Sequence, residues 1–101
     1  MDKFQLQQKE LSKVFASLPT EFDMGAFLLD IFTPGELELI YKRWSIVKKL
    51  VQKENRNQRG IARELKVSVT SVNHQSAILK RGYVGYSTAL KNLGICPTIK
   101  N

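Results

Sequence analysis

The stretch Val67–Val72, VSVTSV, constrains this chain more than any other. It alternates apolar and polar residues, most of them β-branched, and taken alone that is a strand pattern. A strand needs a partner, and every neighbouring segment has helical period. Past Asn73 the positions Val69, Val72, Ser76 and Leu79 follow i, i+3, i+7, i+10, with Ile78 beside them. That is one face of a helix, and Ser68 is then its N-cap. β-branched residues are tolerated in a helix when tertiary packing decides the issue. The expected fold class is therefore all-α.

Just upstream, Ile61, Ala62 and Leu65 share a second helical face, with Arg63 and Glu64 opposite. Two helices joined by a tight turn near Lys66–Val67 make a helix-turn-helix. Gln58, Ile61, Ala62, Leu65, Val67 and Val72 fall at the positions that such a motif uses for the helix crossing and its apolar pins. Two residues depart from the pattern. Lys66 stands where glycine is usual and must adopt a left-handed backbone at some cost. Gln75 stands where an apolar residue is usual.

The rest of the chain also reads as helix. Phe4, Leu11, Val14, Phe15 and Leu18 are helically spaced, and Pro19 follows as a stop. Residues 21–32 follow an N-cap at Thr20 and are apolar around most of the circumference: Phe22, Met24, Ala26, Phe27, Leu28, Leu29, Ile31 and Phe32. A helix apolar nearly all round must be buried on several sides, and a second copy of the chain is a plausible source of that burial. TPGE at 33–36 is a capping box with proline at the first helical position. The helix behind it buries Leu37, Ile40, Tyr41, Trp44, Val47 and Val51 and is expected to run to about residue 53. Asn57 caps the next helix. Gly82 and Gly85 mark a stop and a turn, and a short last helix around 86–93 buries Ala89, Leu90 and Leu93. The 101 residues form one domain: a helical dimerisation core at 1–54, the helix-turn-helix at 55–82, and a short helix and tail at 83–101.

Charge is distributed unevenly. Residues 1–41 carry three lysines and seven acids, whereas residues 42–82 carry eleven basic residues and two acids. A basic segment of that density points to a polyanion partner. The outward face of the second motif helix holds Ser68, Thr70, Ser71, Asn73, His74 and Ala77, all small or polar and none with a fixed charge. Such side chains suit close approach to base edges in a major groove. Around them Arg56, Gln58, Arg59, Arg63, Lys66, Lys80 and Arg81 suit phosphates.

The segments FLLDIFTPGELELIYKRWSIVKKLV and QRGIARELKVSVTSVNHQSAILK resemble the Trp repressor superfamily of bacterial regulators. GYVGYSTAL fits the Gly–x–x–x–Tyr segment and short helix of its Trp-repressor-like subgroup. The resemblance covers about residues 20–93. It implies an intertwined all-α homodimer with two helix-turn-helix DNA-reading heads, bacterial and cytoplasmic, bound to the nucleoid when on DNA. In that family bound tryptophan lies between two arginines, near a cap threonine. Arg43 matches the first arginine and Thr33 the threonine, so Thr33, Arg43 and His74 mark the equivalent small-ligand pocket. His74 replaces the second arginine, Gln75 replaces a small glycine that leaves room for the indole, and Ile78 replaces a serine. A tryptophan-like corepressor is therefore not expected, and no cofactor is assigned.

The resulting expectation is a sequence-specific, double-stranded-DNA-binding transcriptional regulator, a repressor, acting as a homodimer. The alternative is a helical protein-interaction module without sequence-specific DNA binding. An enzyme is not expected, because no nucleophile–base–acid constellation and no Gly-rich phosphate loop occur. One His and one Cys are too few for an ordinary structural zinc site. The N-terminal MDKFQLQQKE has no secretory h-region, and no apolar run approaches a membrane span.

Overall fold

The computed structural model describes residues 1–52 and 57–95, which form six α-helices and no strand. The chain divides into two compact units, residues 1–37 and 38–101.

In the first unit, α1 spans Lys3–Ala16 and α2 spans Glu21–Ile31. α1 opens on a capping box missed in the sequence: Asp2 accepts from the Gln5 amide at 2.8 Å, and the Gln5 side chain accepts from the Asp2 amide at 3.0 Å. It ends just short of Pro19, as the proline stop requires. Thr20 caps α2, accepting from the Asp23 amide at 3.1 Å. Phe15 and Phe27 meet edge to face, ring centroids 5.5 Å apart. Neither α1 nor α2 has a buried residue. Phe22 is 82% exposed and Leu29 72% exposed, so a single chain leaves the apolar circumference of α2 largely uncovered.

α3 spans Pro34–Val51. Its capping box forms as expected, with Thr33 accepting from the Glu36 amide at 3.1 Å and Glu36 accepting from the Thr33 amide at 2.9 Å. The expected end near residue 53 lies outside the described residues.

The core of the second unit sits where α3 meets α4 (Gln58–Leu65) and α5 (Val69–Lys80). Ile46, Ile61, Ala62 and Val72 form it, with Leu50, Leu65 and Val67 packed around. A Lys49–Glu64 ion pair of 2.7 Å spans α3 and α4; both side chains are partly exposed, so it contributes about 0–1 kcal/mol. α6 spans Val84–Asn92, beginning two residues earlier than expected, and buries Leu90. Gly82, at φ +75°, makes the turn that precedes it, a conformation that glycine adopts without strain.

Candidate nucleic-acid interface

Ser68 is the N-cap of α5, as its spacing requires. The Ser68 Oγ accepts from the Ser71 amide at 3.0 Å, and the two serine hydroxyls lie 2.9 Å apart. The ambiguous VSVTSV stretch is thus the turn and first helical turn, not a strand. α4 is capped by Asn57, whose side chain accepts from the Gly60 amide at 2.7 Å.

The turn between them is built on Lys66, in the left-handed region at φ 58° and ψ 47°. The Val67 amide donates to the Ala62 carbonyl at 3.0 Å and the Lys66 amide to the Arg63 carbonyl at 3.3 Å. That is the Schellman pattern, with lysine where glycine is usual. Val67 then packs onto the core that contains Ala62, which sets how α5 leaves the turn.

On α5, Val72, Gln75 and Leu79 lie on the reverse of the stripe made by Asn73, Ala77 and Lys80. Val72 is fully buried and Gln75 is 3% exposed, so the inner face is settled. Ser68, Thr70, Ser71, Asn73, His74 and Ala77 are all exposed. Two of them are already engaged, since the Ser68 and Ser71 hydroxyls bond each other. Arg59, Arg63, Lys66, Lys80 and Arg81 are exposed and Gln58 is half-buried. Arg56 lies outside the described residues. The arrangement is an uncharged polar ridge flanked by cations at both ends of α5 and along α4.

A groove of roughly 430 Å³ separates α3 from α5. Leu39, Lys42, Arg43 and Ile46 form one side; Thr70, Ser71, His74 and Gln75 form the other, and the turn residues Lys66–Ser68 close one end. It brings together Arg43 and His74. Thr33 belongs to the first unit, where its hydroxyl caps α3. Lys42, at the same groove, pairs with Glu38 at 3.3 Å; Arg43 has no ion pair among the described residues.

What the sequence reading missed is the partner of Gln75. The Tyr86 hydroxyl on α6 donates to Gln75 Oε1 at 2.6 Å, and the Tyr86 ring packs against Trp44 of α3 at 6.5 Å between centroids. Burial pushes the Tyr86 phenol above its ordinary value, with the nearby Arg43 pulling the other way. Tyr86 is therefore a neutral donor at ordinary pH. A glutamine at an apolar motif position together with a tyrosine one short turn beyond Gly82 was the available signal.

These features define a class: a small all-α protein that displays a capped, uncharged polar helix amid cations. Within that class the chain belongs to the Trp repressor family, whose model, described as Trp repressor protein, matches residues 6–94. No curated protein and no solved structure matches the chain. The family is one of DNA-binding regulators and not of enzymes, and the chain is accordingly a DNA-binding regulator. Among the described residues no helix is long and apolar enough to cross a membrane, and no cluster of three or more metal-ligating side chains occurs.

Proposed function

We propose that the protein is a sequence-specific regulator of transcription, a repressor, that binds double-stranded DNA as a homodimer through a helix-turn-helix formed by α4 and α5. The observation that carries this reading is the polarity of α5: exposed Thr70, Asn73, His74 and Ala77, all without fixed charge, between exposed cations. Asn73 pairs with adenine, Thr70 reads either base type or a thymine methyl, and Ala77 packs on a thymine methyl. Arg59, Arg63, Lys66, Lys80 and Arg81, with Gln58 and Arg56, hold the flanking phosphates. The Ser68 and Ser71 hydroxyls serve the helix cap first and reach DNA from that fixed place. The uncovered apolar residues of α1 and α2 support the homodimer, which would present two heads to successive major grooves. Arg43 and His74 leave the α3–α5 groove with one of the family's two arginines, so we assign it no tryptophan-like corepressor.

Selection of binding sites from random duplexes, followed by footprinting, tests the proposal. The expected result is a two-fold symmetric site with half-sites about one helical turn apart. Affinity should fall steeply with salt, with a log–log slope of roughly 0.9 per phosphate contacted. Binding indifferent to sequence, or protection without two-fold symmetry, would overturn it. A salt-insensitive protein partner found in its place would favour the protein-interaction module.

A further inference from the structure

We infer that Tyr86 is a positioning residue for DNA reading: by holding Gln75 on the inner face of α5, it sets the rotation at which the outer face meets the bases. The inference rests on the DNA-binding reading above and adds to it a residue that touches no DNA.

Gln75 is 3% exposed, in the middle of a helix whose other buried residues are Val72 and Ser76. A buried amide without a partner costs more than a made hydrogen bond gains, so its bonding is obligatory. The partner is the Tyr86 hydroxyl at 2.6 Å. Tyr86 is not free to follow Gln75 about, because its ring lies against Trp44 of α3 and its helix is anchored by buried Leu90. The bond therefore ties α5 to α6 and, through the ring, to α3. At 100° per residue Gln75 is about 200° round the helix from Asn73. A tether at one side of a helix fixes the direction in which the other side points. Packing of Val72 in the core fixes which face of α5 turns inward. The Tyr86–Gln75 bond is directional and adds a second, angular constraint one turn along the same face.

The experiment compares the wild type with Tyr86→Phe, Gln75→Met and the double variant, all as full-length protein. Phenylalanine keeps the ring on Trp44 and removes only the hydroxyl, so the fold is retained; circular dichroism checks this. The probes are a duplex selected by the wild type and an unrelated duplex of equal length. Tyr86→Phe should lower affinity for the selected duplex about 5- to 10-fold, the range that one directional bond commands, with little change on the unrelated duplex. In the double variant both polar orphans are gone, so thermal stability should recover toward wild type. Discrimination between the duplexes should not recover. A purely structural role predicts that discrimination returns with stability, and that result would overturn the inference. So would a Tyr86→Phe protein that discriminates as well as wild type; either outcome leaves the DNA-binding reading intact. A wild type that shows no preference between duplexes sinks that reading, and the positioning role falls with it.

Discussion

Lys66 is the residue at which local backbone energetics and the proposed function pull apart. A left-handed lysine costs about 1–2 kcal/mol, and glycine recovers part of that while adding its own unfolded-state entropy. Lys66→Gly should therefore stabilise the protein by roughly 0.5–1 kcal/mol in urea unfolding. The same change should weaken DNA binding and reduce the salt slope by about one phosphate contact. Stability and affinity moving in opposite directions is the expected outcome; affinity that holds or rises removes Lys66 from the phosphate set. Tyr86 supplies a pH dependence. Its folded-state pKa is raised above the ordinary value near 10, first by burial, so the folded state holds its proton longer than the unfolded chain. Its contribution is fully present below that ordinary value and is lost as pH rises through the raised folded value. Urea midpoints measured through the alkaline range should fall more steeply for wild type than for Tyr86→Phe. Parallel curves would mean that the phenol is not shielded from solvent.

At the scale of elements, caps and core should separate by magnitude. Ser68→Ala removes the cap of α5 and should cost about 1 kcal/mol. Ile61→Ala empties a position that is 0% exposed and should cost about 2–5 kcal/mol. Chemical denaturation of both variants checks the ranking, and equal losses would mean that α5 is held by its cap as much as by its core. Element order was largely readable because caps are local. Thr33 with Glu36, Asn57, and Ser68 are each completed within three residues, so their spacing was enough. The Asp2 box at the head of α1 obeys the same rule with glutamine in place of glutamate. The Gln75–Tyr86 bond could not be read this way. It spans eleven residues across a turn, and only packing brings the two side chains together.

At the scale of the whole molecule, the apolar surface left on α1 and α2 carries the prediction. Phe22 at 82% and Leu29 at 72% exposure are far outside what a solitary chain favours. In the proposed dimer these side chains are covered, so the thermal midpoint should rise with protein concentration. Phe22→Glu should abolish that dependence and shift sedimentation toward the monomer. A concentration-independent midpoint in the wild type would argue against the homodimer.

Helical period, hydroxyl and amide caps and the skewed charge were determined by the sequence alone, since each depends on residues within a turn or two of one another. So was the rejection of a strand at 67–72, which needed only the observation that no other segment could pair with it. The groove between α3 and α5 and the seating of Gln75 against Tyr86 were decided by tertiary structure. The reason is physical: burial and hydrogen-bond satisfaction belong to side chains from separate helices, and a linear pattern does not say which will meet.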